Sequence, residues 1–153
     1  RPVVGNVPVT VVVPGRTFAA RSVDVGNPHA VSVLAAPEEL ASLDLRTQPA
    51  WEPRDRFPHG VNLEFVVSTT PTSLDMRVFE RGVGETWSCG TGTVAAVASL
   101  AASQGYAEGS WRVNVPGGCV EVDMAGGEAW LTGPATIVAR GTVLAPGEAR
   151  WTA

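Results

Sequence analysis

The chain has 153 residues, of which 44% are hydrophobic and 17% charged, and its formal net charge is −4. This composition is typical of one globular domain and excludes an intrinsically disordered chain. All 11 basic residues are arginines. They are spread along the chain without a cluster, so nucleic-acid binding is not expected. No apolar run approaches the ~18 residues that cross a bilayer, so no membrane partner is expected either.

The first eighty residues are predicted to form five strands and one short helix. β-branched and alternating runs, bounded by Pro, Gly and Asn, mark the strands. Pro37-Glu38-Glu39-Leu40 opens the short helix, with acidic residues in its first turn. Residues 47–60 are rich in helix and strand breakers and are predicted to form a loop. The predicted strands are residues 7–13, 17–25, 30–34, 61–69 and 74–80.

One segment of the second half differs from the rest of the chain. After a Gly-rich loop at 81–88, residues 91–103 are Ala-rich and predict the one long helix, which Gly105 ends. Its small apolar side chains fall on every face, so the helix must be buried all round. Many strands and one such helix predict an α+β fold, a mixed curved sheet or barrel wrapped around one central buried helix. The remaining predicted strands are 111–115, 119–124, 129–132 and 135–143.

A cysteine stands where the predicted buried helix begins. The first amides of a helix are unpaired and carry a partial positive charge. We therefore expect the pKa of the Cys89 thiol to lie below its free value of about 8.5, and amides such as those of Gly90 and Thr91 to bind a carboxylate. A base beside a carboxylate anchor suits removal of a proton next to a carboxylate. A plain buried cysteine in a Gly-rich corner is the alternative, just as Glu80 and Arg81 could be an ordinary surface pair.

Gly26-Asn27-Pro28-His29 forms a second polar group. Pro28 holds Asn27 extended, and the Asn27 amide both donates and accepts, which suits an ammonium or carboxylate ligand. His29 could orient a ligand or tune a thiol. A turn with a capped asparagine and a structural histidine is the alternative. Asn62 begins an apolar strand, where a polar side chain is unexpected, and its alternative is an edge position in water.

The other candidate side chains point to no chemistry. Cys119 alternates within a strand, and His59 lies between Pro58 and Gly60, so both are interpreted as packing or surface residues. No Cys and His residues have metal-ligand spacing, so no metal site is predicted. Nothing in the sequence indicates an oxidising compartment, so we expect free thiols and a cytoplasmic location.

Five short segments, each weak alone, resemble diaminopimelate epimerases and follow that family's order. They are residues 26–29 (GNPH), 60–66 (GVN and EFV), 80–86 (ERG and GET), 89–92 (CGTG) and 116–118 (PGG). The resemblance implies two similar α+β domains, each with strands around a central helix. It also implies that each domain offers one cysteine to a substrate held between them.

The resemblance further implies the reaction. One thiolate removes the α-proton and the opposite thiol delivers one, converting LL- to meso-diaminopimelate in lysine and peptidoglycan biosynthesis without pyridoxal phosphate, another cofactor or a metal. Cys89 matches the C-terminal thiol, while Glu80 and His29 match positions that support catalysis. Arg81 is expected to pair with the distal carboxylate. The matched substrate-binding positions are Asn27, Asn62, Glu80, Arg81, Gly90 and Thr91.

The family's other catalytic cysteine, in a Cys-Gly-Asn-Gly type motif, has no counterpart in this sequence. Because no helix start follows Cys119, that residue is not its equivalent. We therefore expect residues 1–153 to be a C-terminal domain that cannot epimerise without the N-terminal domain of the same enzyme. The implied partners are diaminopimelate, that domain and a second copy in a homodimer. Two alternatives are a proline, hydroxyproline or phenazine-biosynthesis-type relative of the same fold, and a non-catalytic binding domain.

Overall fold

A computed structural model describes residues 1–142. Its α-helices are α1 (Pro37–Ala41) and α2 (Gly90–Gln104), and a short 3-10 helix spans Arg54–Arg56. The strands all belong to one sheet. They are β1 (Val3–Val13), β2 (Arg16–Asp24), β3 (Pro28–Val33), β4 (Ala50–Glu52), β5 (Asn62–Thr70), β6 (Ser73–Glu80), β7 (Gly84–Thr86), β8 (Gly109–Val115), β9 (Gly118–Ala125) and β10 (Glu128–Thr132).

The sheet is mixed and open. Its strand order is β10-β9-β8-β6-β5-β3-β2-β1-β4, with β7 added beside β6. Neighbours are antiparallel except at β3–β5 and β6–β8, which are parallel. Parallel neighbours need a long crossover, and the second crossover carries α2. Since β10 and β4 do not pair within residues 1–142, the curved-sheet form of the fold prediction is confirmed and the closed barrel is wrong.

Helix α2 lies at the centre of the curved sheet. It contacts strands on both sides of the sheet's middle, namely β1, β2, β3, β5, β6, β9 and β10. Ten consecutive residues, 92–101, are buried, which confirms the prediction of a helix without a solvent face. Gly105 ends it in a left-handed conformation with φ 78°. Across residues 1–142, neither helix is long and apolar enough to be a bilayer span.

The two faces of the sheet bury different clusters of side chains. Along β5, Leu63 and Phe65 point away from α2 into an outer cluster that includes Leu40 of α1. Val66 points to the opposite face and packs in the cluster around α2. Glu64, two residues before Val66 in the same strand, therefore faces α2 as well. This alternation places the one charged side chain of β5 on its helix-facing side.

Three sequence predictions need correction. The expected loop at 47–60 contains β4 and the 3-10 helix, because Trp51 pairs with Val11 of β1 and is buried. The expected loop at 81–88 contains β7, which pairs with β6. The expected strand at 135–143 does not form over residues 135–142, which are exposed and pair with no strand of the described chain. Residue 143 lies outside the described residues.

Candidate active site

Cys89 is the residue that caps the start of α2. Its backbone is extended, with φ −133° and ψ 112°, and Gly90 is the first helical residue. The Cys89 carbonyl accepts hydrogen bonds from the Thr93 amide and the Thr93 hydroxyl, both at 2.8 Å. These two bonds close the first turn, so the predicted position of the sulfur at the helix start is confirmed.

Of the first amides of α2, that of Thr93 donates to the Cys89 carbonyl. The Gly90 and Thr91 amides donate to no partner among residues 1–142, and both residues are exposed. Two unpaired amides at the positive end of a helix form an anion-binding site. A carboxylate bound there would lie directly beside the sulfur.

The thiol of Cys89 is shielded from water, with 7% of the residue exposed. Burial raises its pKa above that of a free thiol, and the nearby carboxyl groups of Glu80 and Glu64 act in the same direction. The neighbouring Gly92 amide and Thr91 hydroxyl lower it, but by less. The expectation of a lowered pKa is therefore wrong, because desolvation outweighs the helix start. In this structure the neutral thiol is the favoured form.

A chain of polar side chains leads from the sulfur into the sheet. The Thr91 hydroxyl lies 3.7 Å from the Cys89 sulfur, and Asn27 Nδ2 donates to that hydroxyl at 3.3 Å. Asn27 Oδ1 lies 3.0 Å from His29 Nε2. His29 Nδ1 in turn lies 2.6 Å from Glu64 Oε1. The structure thus joins two groups that the sequence predicts separately, namely Cys89 with Thr91 and Asn27 with His29.

Asn62 is buried, not an edge residue in water, with 5% of its surface exposed. Its Nδ2 donates to the Pro28 carbonyl at 3.1 Å, and its Oδ1 accepts from the Arg81 amide at 2.9 Å. The side chain therefore ties the start of β3 to the end of β6. One N–H and one lone pair of the amide are left for a ligand.

Glu80 and Arg81 follow one another at the end of β6. Glu80 Oε1 accepts a hydrogen bond from the Thr86 hydroxyl, which fixes the carboxylate beneath the loop that leads to Cys89. The Arg81 side chain is exposed and donates only weakly, to the His59 carbonyl at 3.5 Å. It forms no salt bridge with any carboxylate of the described chain. The Arg81 guanidinium is therefore available to a ligand.

Glu64 is the site residue to which sequence reasoning gave no role. It is fully buried, and burial raises its pKa although its bond to His29 opposes that shift. The signal was visible in the sequence, since Glu64 is the one charged residue of the strand VNLEFVVST. Cys119 and His59 lie outside the network, and both cysteines are free thiols. Residues 1–142 contain no group of three or more side chains placed to hold a metal.

The site is an open surface. A cavity of about 850 Å³ lies between β1, β2 and the far end of α2, and one of about 410 Å³ reaches Asn27. Cys89 lines neither cavity. Two apolar side chains near the start of α2 are uncovered: Trp87, two residues before Cys89, is 75% exposed, and Leu131, which lies beside Gly90, is 44% exposed.

Residues 21–138 match the family model described as diaminopimelate epimerase. That range is more than half of the chain and contains every residue of the network around Cys89. The chain belongs to the diaminopimelate epimerase family. The family resemblance inferred from the sequence is thereby confirmed.

Several proteins named diaminopimelate epimerase resemble the chain closely. The protein of Rhodococcus erythropolis is 50% identical over 131 residues, which is 84% of this chain and 44% of that protein. The protein of Mycolicibacterium smegmatis is 46% identical over 130 residues, which is 85% of this chain and 44% of that protein. That of Corynebacterium glutamicum is 46% identical over 129 residues, which is 84% of this chain and 47% of that protein. The chain thus spans about half the length of these diaminopimelate epimerases.

Similarity to solved structures is lower. A phenazine biosynthesis protein of the PhzF family from Enterococcus faecalis is 21% identical, with a TM-score of 0.46 over 78% of this chain and 40% of that protein. A PhzF-family protein from Bacillus anthracis is 18% identical, with a TM-score of 0.44 over 86% of this chain and 40% of that protein.

Proposed function

We propose that the chain is one domain of a diaminopimelate epimerase and that Cys89 is one of its two catalytic thiols. The observation that carries this proposal is the position of the Cys89 sulfur at the start of a buried helix, next to the Gly90 and Thr91 amides. Neither amide has a hydrogen-bond partner within residues 1–142. A carbon acid whose carboxylate is held by those amides would present its α-carbon to the sulfur. Membership of the diaminopimelate epimerase family supports the substrate.

The reaction needs one proton acceptor and one proton donor on opposite faces of the α-carbon. A thiolate on the far face takes the α-proton, and the C–H bonding electrons remain on carbon. The Gly90 and Thr91 amides stabilise the charge that spreads into the carboxylate. The Cys89 S–H then delivers its proton to the near face and is left as thiolate. The raised pKa of Cys89 suits this donor role, and in the reverse direction the two sulfurs exchange roles.

The exposure of the remaining proposed site residues indicates which of them can contact the substrate directly. Arg81 is exposed and unpaired, which suits a planar bidentate contact with the distal carboxylate. Asn27 is half-buried beside Thr91 and is proposed to contact the substrate, as is Asn62 through its remaining N–H. Glu80 is proposed to bind substrate and support catalysis. His29 is fully buried, so its proposed support passes through Asn27 and not through direct contact.

A second domain is proposed to cover the site. Trp87, two residues before Cys89, and Leu131, beside Gly90, are large apolar side chains left exposed near the start of α2, which suits a surface that another domain covers. The related diaminopimelate epimerases are about twice as long as this chain, and no Cys-Gly-Asn-Gly type motif occurs in it. We therefore propose that the N-terminal domain supplies the opposite thiol. The homodimer and the absence of a cofactor are proposed from the family resemblance, and the cytoplasmic location from the cysteine content.

The decisive experiment measures epimerisation of LL-diaminopimelate by the full-length protein and its Cys89→Ser variant. Since a proton donor in the transition state contributes about 10²- to 10⁴-fold, we expect a loss of that size. Cys119→Ser is the matched control and should keep wild-type turnover, because Cys119 lies outside the network. Unchanged turnover by C89S would indicate a binding domain. Turnover of proline or hydroxyproline but not of diaminopimelate would indicate a racemase of the same fold.

A further inference from the structure

Glu64 is a carboxyl group buried completely beneath the first turn of α2. One oxygen, Oε1, lies 2.6 Å from His29 Nδ1, while Oε2 has no hydrogen-bond partner in the described chain. Gly92 makes this position possible. A Cβ at residue 92 would lie 2.7 Å from Glu64 Oε1, closer than real side chains approach. The helix and the carboxyl group therefore fit together only because residue 92 has no side chain.

The hydrogen bonds fix where the protons lie. Asn27 Nδ2 donates to Thr91, so Asn27 Oδ1 faces His29 Nε2. A carbonyl oxygen only accepts, so Nε2 must carry a proton. The 2.6 Å contact between Nδ1 and Oε1 then holds one further proton, on either Glu64 or His29. In both cases the pair has no net charge, which is the state that full burial favours.

We propose that Glu64 is a positioning residue of the site, which together with His29 holds Asn27, and through Asn27 the Thr91 hydroxyl, beside the Cys89 sulfur. Glu64 fixes the ring orientation and the Nε2–H form of His29, and His29 then fixes the Asn27 amide. This inference rests on the proposed function, since it assigns Glu64 to the epimerase site. It goes beyond that proposal because Glu64 touches neither the sulfur nor any position expected for the substrate.

The test compares three variants of the full-length protein. Glu64→Leu removes every polar partner of His29 Nδ1. Glu64→Gln restores one, because its amide N–H can donate to Nδ1 and so keep the proton on Nε2. Val66→Ala is the matched control, since Val66 lies two residues further along β5 on the same helix-facing side. Its loss of buried methyl groups destabilises the protein without touching the network.

For E64L we expect kcat for diaminopimelate epimerisation to fall about 10- to 100-fold, because a misplaced supporting group costs about that much. E64Q should recover most of the lost kcat, and V66A should keep wild-type kcat although its melting temperature falls. Wild-type kcat in E64L would overturn the inference. The inference would also be overturned if V66A lost as much kcat as E64L at the same melting temperature. The loss of kcat would then come from reduced stability and not from the misplaced site.

A second measurement does not depend on activity. In the ¹⁵N-histidine spectrum of the wild-type protein, His29 Nε2 should carry its proton across the whole pH range in which the protein is folded. E64L should lose or shift that signal, E64Q should keep it, and the exposed His59 should be unchanged in both. A wild-type spectrum with unprotonated Nε2 overturns the inference even if E64L does not fold. A wild type that shows this signal but no epimerisation would refute the proposed function alone.

Discussion

Replacing Gly92 with alanine should destabilise the protein, although alanine is the better helix former. An added Cβ would lie 2.7 Å from Glu64 Oε1 and 3.2 Å from the Cys89 sulfur. Oε1 cannot retreat freely, because it lies 2.6 Å from His29 Nδ1 inside the protein. The clash is therefore relieved either by breaking that bond or by moving the helix start away from the sheet.

Each route has a comparable free-energy cost. Leaving a buried polar group of this kind without its partner costs about 1–3 kcal/mol, and overpacking a core costs about 1–3 kcal/mol. Alanine in place of glycine stabilises a helix by up to about 1 kcal/mol, because it has the higher helix propensity. Because the added Cβ would approach Glu64 so closely, we expect the destabilisation from the clash to lie in the upper part of this range of about 1–3 kcal/mol. The free energy of unfolding of Gly92→Ala should then be about 1–2 kcal/mol below that of the wild type.

Urea unfolding of the two proteins measures this difference. Gly90→Ala is the matched control, since its added Cβ would meet only the flexible end of Leu131 at 3.3 Å. We expect that variant to lie within about 0.5 kcal/mol of the wild type. A Gly92→Ala protein as stable as the wild type, or more stable, would refute the argument, because Glu64 and the start of α2 would then not be fixed against each other.

Three further predictions concern other side chains. In a Cys119→Ala background, the rate of Cys89 alkylation by iodoacetamide should rise with pH at a higher midpoint than that of N-acetylcysteine, because burial raises the pKa of the Cys89 thiol; an equal or lower midpoint would contradict this. The unfolding free energy of the wild type minus that of E64Q should fall as pH rises above 4.5, because burial raises the pKa of Glu64 and the folded Glu64–His29 pair keeps a proton that the glutamate of the unfolded chain has released; a rise would contradict the raised pKa. Arg77 donates to three oxygens at 2.7–3.0 Å, so Arg77→Lys should lose about 1–2 kcal/mol in urea unfolding. The exposed Arg46→Lys should change little, and equal effects would contradict the argument.

Most of the fold follows from the pattern of the sequence. Runs of β-branched residues predicted all the long strands, and the Ala-rich segment before Gly105 predicted α2. The three-residue strand β4 was missed because it is too short to show an alternation. Its partner β1 lies some forty residues earlier, so only the tertiary structure determines it. Residues 135–142 have a strand-like composition but no neighbouring strand within the described chain, and composition alone does not form a strand.

The site was predictable in position but not in electrostatics. The sequence places Cys89 at a helix start because the glycines and the Ala-rich run identify that start. It does not tell how deeply the sulfur lies or which carboxylates surround it, and these decide the direction of its pKa. The parallel pairing of β3 with β5 places His29 opposite Asn62 and brings Glu64 within reach of the ring. Sequence spacing does not reveal that pairing.

The burial of residues 92–101 of α2 on every side also bears on how the protein folds. A helix with no side suited to water has little reason to form before the strands have gathered around it. The Gly90 and Thr91 amides would then take up their positions beside the sulfur, and residue 89 would acquire its shielded sulfur, only in the last cooperative step. A partly folded chain would consequently expose no preformed anion site and no selectively protected thiol.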